Sequence, residues 1–187
     1  MSLVALVSLC YVTVAYAEES SATAHSQWSM LGGYGVTHPG FGATNVTVKT
    51  VKIIPRYGMF LTDELGEGWY RGRHVLFVEM PLEMVIQPDT APLIGLNFLA
   101  AWQFTANPIF NPYLFAGGGA IYTNADIPGV SSRFDGDYQS GVGIQIQRSP
   151  WAFTFEYRLH HISNAGTSSP NVPLNSSQFM AGITMYY

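Results

Sequence analysis

Charged residues are scarce in this sequence, and cysteine occurs once. Asp, Glu, Lys and Arg make up 11% of the 187 residues, which is under half of the roughly 25% usual in soluble domains. The formal net charge of -4 offers no basic field that would attract nucleic acid, so no nucleic-acid partner is expected. The single cysteine, Cys10, excludes a disulfide within the chain and a cysteine-based metal site.

Long apolar runs are missing beyond the amino-terminal region. A transmembrane helix needs roughly 20 predominantly apolar residues. The nearest approach is residues 93–104, where Gly95, Asn97 and Gln103 interrupt the run. A helical membrane span is therefore not predicted after the first residues of the chain.

The amino-terminal region predicts export. Residues 3–14 are apolar, and Ala15-Tyr16-Ala17 has the A-x-A pattern of a signal-peptide cleavage site, although no Lys or Arg precedes the apolar core. We therefore expect residues 1–17 to be a signal peptide. Residues 18–187 are then the exported protein, and their number indicates one domain.

Glycine, aromatic residues and period-two alternation are abundant. Tyr and Phe number 11 each and Gly 19. In residues 94–104 and 151–159 the apolar side chains occupy every second position, which is typical of the strands of membrane barrels. Turn residues separate such stretches. Eight strands are predicted, near residues 28–38, 45–61, 71–86, 92–105, 109–122, 137–148, 150–162 and 176–187, the second being the least regular because it contains Pro55 and Gly58.

The alternation by itself fits two folds. The apolar side of each strand faces inward in a soluble sandwich and faces lipid in a membrane barrel. Three features favour the barrel: the predicted export, the aromatic last residue Tyr187, and charged residues of both signs on the polar faces of the strands. These charged residues are Arg73, Glu79, Glu83, Glu156 and Arg158. The predicted fold is an all-β, eight-stranded antiparallel transmembrane barrel, integral to the outer membrane.

The connections around strand seven predict its direction. A barrel with an even number of strands that starts in the periplasm also ends there, so its odd strands rise toward the cell surface. The joint before strand seven is short, as periplasmic turns are, and the loop after it is long, as surface loops are. The carboxyl end of strand seven is therefore expected at the outer leaflet.

Polar residues at this end of strand seven indicate catalysis. Continuing the parity of the apolar residues places His161 and Ser163 on the lipid-facing side, where polar groups are costly without partners. Two residues that are i and i+2 on one face of a strand bring an imidazole beside a hydroxyl, as a serine nucleophile and its general base require. Asn175, at the adjacent end of strand eight, is expected to orient His161. The neighbouring His160 has lumen parity and is expected to partner Glu156 or Arg158.

The loop after strand seven contains donors for an oxyanion. Asn164 and Asn171 carry side-chain amides, and Gly166 leaves a backbone N–H accessible. Such donors stabilise the negative oxygen of a tetrahedral intermediate. The residues alone do not decide which of the three serves.

The run His-Ile-Ser-Asn-Ala-Gly at residues 161–166, followed by Pro-Asn at 170–171, resembles the signature of the lipid A 3-O-deacylases, the acyloxyacyl hydrolase family of outer membranes. Farther upstream the resemblance is architectural and includes the Pro-Tyr-Leu-Phe-Ala-Gly-Gly-Gly segment at 112–119. It implies a serine esterase that hydrolyses the 3-O-linked acyl chain of lipid A in lipopolysaccharide through a Ser–His–acid triad facing the outer leaflet. We expect the protein to act as a monomer and without a cofactor. Ser163 matches the family's serine and His161 its histidine. The oxyanion asparagine matches Asn171, with Asn164 as the other candidate.

The sequence departs from this family at the acid of the triad. Glu is the family's residue, whereas this chain has Asn175. Outer-membrane phospholipase A uses Asn in the same role, so a phospholipase with a Ser–His–Asn triad is an alternative. A non-catalytic structural barrel and a soluble periplasmic lipid-binding protein are further alternatives.

Overall fold

The computed structural model describes residues 21–124, 132–169 and 171–187, so the predicted signal peptide lies outside the described residues. These described residues form nine β-strands and one short 3-10 turn, Gly68–Tyr70. The strands are β1 (Ser26–Thr37), β2 (Lys49–Phe60), β3 (Gly72–Glu79), β4 (Leu82–Gln87), β5 (Ala91–Phe104), β6 (Phe110–Tyr122), β7 (Phe134–Arg148), β8 (Trp151–Ser163) and β9 (Leu174–Tyr186). In the described parts of the chain, no helix is long and apolar enough to cross a membrane.

The sheet closes on itself into an antiparallel barrel. Consecutive strands pair with each other except β3 and β4, and β1 pairs with both β2 and β9, which completes the ring. Strands β3 and β4 both lie between β2 and β5, so together they occupy the position of one barrel strand. Counted in this way the barrel has eight strands, of which β8 is the seventh and β9 the eighth. The predicted fold class is confirmed.

The third barrel strand, made of β3 and β4, is interrupted at Met80 and Pro81, where a continuous strand over 71–86 was predicted. The pairing register with β2 is the same on both sides, since Glu79 faces Arg56 and Leu82 faces Ile53. Pro81 and the nearby Pro55 of β2 both lack a backbone N–H, so each can only accept from the neighbouring strand: Met80 N–H donates to the Pro55 carbonyl at 3.1 Å and Gly95 N–H to the Pro81 carbonyl at 2.9 Å. Pro55 itself leaves β2 continuous.

Polar side chains fill the barrel lumen. Arg56 reaches Glu79 and Glu156 at 2.6 Å each, and Arg158 reaches the same two carboxylates at 2.9 and 2.5 Å. All four side chains are buried. Buried charges persist when they are paired and hydrogen-bonded. In this network each guanidinium contacts both carboxylates, and Arg56 Nη1 is left without a hydrogen-bond partner among the described residues.

The outer wall is apolar. Large side chains on the opposite parity are exposed on most strands; they include Met30, Ile53, Ile94, Phe98, Leu114, Val142, Phe155 and Ile183. An apolar band around a polar lumen is the inverse of a soluble sandwich and is typical of outer-membrane barrels. The soluble alternative is therefore wrong.

The connections at one end of the barrel form the surroundings of the candidate site. Residues 38–48 join β1 to β2, and residues 164–173 join β8 to β9. Both connections lie at the carboxyl end of β8, because neighbouring strands are antiparallel. The start of β1, the end of β9 and the two-residue turn between β7 and β8 lie at the opposite end.

Candidate active site

His161 and Ser163 are the last two residues of the outward-facing row of β8. Trp151, Phe153 and Phe155 begin this row and are exposed, whereas the intervening side chains are buried in the lumen. The strand thus turns every second residue outward. His161 and Ser163 are both half-buried, at the margin of the apolar band.

The structure brings together the three residues that the sequence predicted to act as a triad. The Ser163 Oγ atom lies 2.9 Å from His161 Nε2, and His161 Nδ1 lies 2.7 Å from Asn175 Oδ1. The register of β8 and β9 accounts for the second contact, since His161 pairs directly with Asn175. An amide oxygen only accepts hydrogen bonds, so Nδ1 carries the ring proton and Nε2 accepts the serine proton.

A groove runs along the outer wall beside these residues. It has a volume of about 550 Å³, and its lining includes Phe41, Tyr138, Tyr157 and Leu159. A second groove, of about 660 Å³, continues from Tyr157 along the wall toward Phe155, Phe179 and Ala181. The three polar residues therefore lie at one end of an apolar surface that has room for a hydrocarbon chain.

The predicted oxyanion donors differ in their surroundings. Asn164 is buried, and its amide nitrogen donates to the carbonyl and hydroxyl oxygens of Ser168 at 3.0 and 2.9 Å. The Gly166 N–H donates to Asn164 Oδ1 at 2.8 Å. These bonds close the turn after β8. The Asn171 side chain is exposed and makes no hydrogen bond within the described part of the chain.

The adjacent histidine, His160, faces the lumen as expected, but its partner is different from the predicted Glu156 or Arg158. Its Nε2 atom lies 2.5 Å from Asp137 Oδ1, and its Nδ1 atom contacts Ser176 Oγ at 3.2 Å. Gln178 Nε2 also lies 2.5 Å from Nδ1. Glu156 and Arg158 bond each other instead, so they are already satisfied.

Two contributors to this region were missed in the sequence. Thr44, in the β1–β2 connection, bonds Asn175, and His38 at the start of that connection lies 2.8 Å from Ser177 Oγ. Connections carry no periodicity, so nothing in the sequence pattern indicated that this one reaches β9. Within residues 21–124, 132–169 and 171–187, no three His, Cys, Asp or Glu side chains gather as metal ligands would.

Comparison with known proteins finds a matching family model and similar solved structures. A family model described as lipid A 3-O-deacylase (PagL) matches residues 56–184. The crystal structure of the outer membrane enzyme PagL superposes with a TM-score of 0.60 at 14% identity, covering 86% of this chain and 99% of that one. Neisserial surface protein A (NspA) superposes with a TM-score of 0.66 at 14% identity, covering 87% and 97%. No curated protein sequence matches.

At 14% identity the two solved structures establish a shared fold, that of outer-membrane β-barrels. The family model goes further, because it covers well over half of the chain and includes the segment with His161, Ser163 and Asn175. The protein therefore belongs to the lipid A 3-O-deacylase (PagL) family.

Proposed function

We propose that the protein is an outer-membrane serine esterase that hydrolyses the 3-O-linked acyl chain of lipid A. The observation that carries the proposal is the hydrogen-bonded series Ser163–His161–Asn175 on the membrane-facing wall, with contacts of 2.9 and 2.7 Å. A polar series at this margin is costly for a purely structural barrel. A serine whose hydroxyl faces the unprotonated nitrogen of an oriented imidazole is the arrangement of an activated nucleophile.

In the first half of the proposed reaction, His161 Nε2 takes the proton of Ser163 as Oγ attacks the acyl carbonyl carbon. The carbon–oxygen bond to the sugar then breaks, and His161 returns its proton to the departing sugar oxygen. The products of this half are deacylated lipid A and an acyl-Ser163 ester. Asn175 accepts the Nδ1–H bond throughout and thereby holds the ring in one tautomer and stabilises its protonated form.

In the second half, water attacks the acyl-Ser163 carbonyl while His161 takes a proton from the water. The serine ester breaks, Ser163 recovers its hydroxyl proton from His161, and a free fatty acid leaves. The chain's own groups suffice for both halves, and no cofactor enters the scheme.

The oxyanion of each tetrahedral intermediate needs donors. We assign this role to the Asn171 amide, which is exposed in the loop that follows β8. Asn164 and Gly166 bond each other in the same loop. They contribute to the oxyanion site by holding the loop. The Gly166 N–H takes part directly if its bond to Asn164 Oδ1 opens, and the Asn164 amide nitrogen does so if its bonds to Ser168 open.

The substrate reaches this site from within the membrane. The groove beside His161 has both polar and apolar side chains, and the groove that continues along the outer wall is mostly apolar, so an acyl chain lies along the wall while the head group stays at the interface. We place the carboxyl end of β8, and with it the site, at the outer leaflet, where lipid A resides.

Mass spectrometry of lipid A after incubation of lipopolysaccharide with the refolded protein in detergent tests the proposal. We expect the wild type to remove one hydroxyacyl mass and Ser163→Ala to remove none. Folding of both proteins is checked by the shift in gel mobility on boiling. A folded wild type that leaves lipid A unchanged would overturn the assignment.

A phospholipase is the second candidate, and the amide at position 175 is the observation that favours it, since the acid position carries Asn rather than Glu. Release of fatty acid from phospholipid vesicles by the same two proteins separates the substrates. Activity on neither lipid would leave the structural-barrel alternative.

A further inference from the structure

The polar groups that surround Asn175 come from the β1–β2 connection. The Asn175 amide nitrogen donates to the Phe41 carbonyl oxygen at 3.1 Å and to Thr44 Oγ1 at 2.9 Å. The backbone N–H of Asn175 donates to the same Thr44 oxygen at 2.9 Å. The Thr44 hydroxyl in turn donates to the Pro173 carbonyl at 2.8 Å. Thr44 is 2% exposed, and its hydroxyl makes all three bonds that it is capable of making.

These contacts decide which end of the amide faces His161. The two orientations of an asparagine amide exchange a donor for an acceptor. The Phe41 carbonyl only accepts, so it requires the amide nitrogen on its side. Oδ1 is then left 2.7 Å from His161 Nδ1, which in turn keeps the ring proton on Nδ1 and the lone pair of Nε2 toward Ser163.

The connection is itself held in place. The Gly40 N–H donates to the Thr44 carbonyl at 2.9 Å, and the His38 N–H donates to the Asn175 carbonyl at 3.0 Å. Gly42 has a φ of +60°, and a Cβ atom added there would lie 3.2 Å from the Asn175 amide nitrogen. The segment is thus shaped to fit closely around this one side chain.

We infer that Thr44 and the Phe41 carbonyl are positioning groups for His161, acting through Asn175, and that they make the site specific for an amide at position 175. A carboxylate there would bring an acceptor against the Phe41 carbonyl, where the amide presents a donor. The consequence for the rate rests on the proposed esterase function, whereas the consequence for the histidine tautomer does not.

The tautomer is measured by ¹⁵N NMR of the detergent-solubilised full-length protein with ¹⁵N-labelled histidine, the His161 signals being assigned by their loss in His161→Gln. We expect the wild type and Thr44→Ser to hold the proton on Nδ1. In Thr44→Val, which removes the hydroxyl at constant shape, we expect a mixture of the two tautomers, because the amide nitrogen is left with only the longer contact, 3.1 Å, to the Phe41 carbonyl. A pure Nδ1–H form in Thr44→Val would overturn the inference whether or not the protein has esterase activity.

Kinetics on lipopolysaccharide provide the second readout. Thr44→Val is expected to lower kcat by about tenfold with KM little changed, since it disturbs a proton-transfer geometry rather than the groove. Thr44→Ser is expected to keep the wild-type kcat. Equal losses in both variants, or a change confined to KM, would contradict a positioning role.

Two glycine variants serve if Thr44→Val fails to fold. Gly42→Ala and Gly40→Ala both place a side chain at positive φ, but only the former meets Asn175, since the space around Gly40 is open. We expect Gly42→Ala alone to lower kcat.

For the amide specificity, Asn175→Asp is expected to be slower than the wild type, and an equal or faster rate would overturn that part of the inference.

Discussion

Two adjacent histidines of β8 have similar partners and opposite surroundings. His160 faces the lumen and contacts Asp137 and Ser176, whereas His161 faces the membrane and contacts Asn175 and Ser163. Judged by residue type, the inner group has the carboxylate expected of a triad. It is nevertheless sealed: His160, Asp137 and Ser176 are all buried, so no substrate reaches the serine.

We therefore expect a histidine's position on the barrel wall to matter more for activity than the identity of the residue that orients it. The inner histidine and carboxylate belong to a packed polar lumen, in which Asp137 also accepts from Asn97 at 2.8 Å. The outer histidine is half-buried and lines the groove on the outer wall. We therefore expect the inner group to contribute to stability and the outer group to activity, and the variants below test this division.

Replacing His161 is expected to have the largest effect. His161→Gln removes the proposed general base, and loss of a triad histidine lowers kcat by about 10⁴-fold or more. The stability in urea is expected to stay near that of the wild type, since the residue is at the surface. The rate of fatty-acid release from lipopolysaccharide measures the loss, and a variant with more than a tenth of the wild-type rate would contradict the role.

The matched change on the inner face is expected to act on stability instead. His160→Leu removes the hydrogen bond that His160 makes to the buried Asp137 carboxylate, and leaving a buried charged group without its partner costs about 3 kcal/mol. Urea unfolding followed by gel mobility measures this cost. The rate per folded molecule is expected to remain within a few-fold of the wild type, and a loss as large as that of His161→Gln would remove the proposed division.

Truncating the orienting amide is expected to have an intermediate effect. Asn175→Ala removes the acceptor from His161 Nδ1, which frees the ring to rotate, and a misplacement of this kind lowers kcat by about 10²-fold. Steady-state kinetics should assign the loss to kcat. An unchanged kcat would mean that His161 is held by other groups.

The smallest effect is expected at a second outward serine. Ser177 bonds His38 at 2.8 Å and Tyr157 at 2.7 Å, but no amide or carboxylate orients that histidine through its other nitrogen among the described contacts. Ser177→Ala is expected to change the free energy of activation by about 0.5 kcal/mol or less, which is roughly twofold in rate. A loss comparable to that of Ser163→Ala would move the proposed nucleophile to this pair.

Much of the fold was predictable because alternation is a local property. A period-two pattern indicates which side of each strand faces lipid, so all eight barrel strands were identified from the sequence. The interruption at Met80 and Pro81 was not predicted, since the loss of backbone hydrogen bonds there also depends on Pro55 in the neighbouring strand. The spacing of His161 and Ser163 was equally local, because residues i and i+2 of any strand share a face.

The sequence by itself determined the barrel and the pairing of an imidazole with a hydroxyl on its outer wall. Only the tertiary structure decided what holds them. The register of β8 with β9 set Asn175 opposite His161, and the β1–β2 connection, 131 residues away along the chain, supplied the hydroxyl of Thr44. Asp137 likewise reached His160 across the β7–β8 pair of the barrel. Such contacts depend on strand register and on connections without periodicity, and neither leaves a signal in a local pattern.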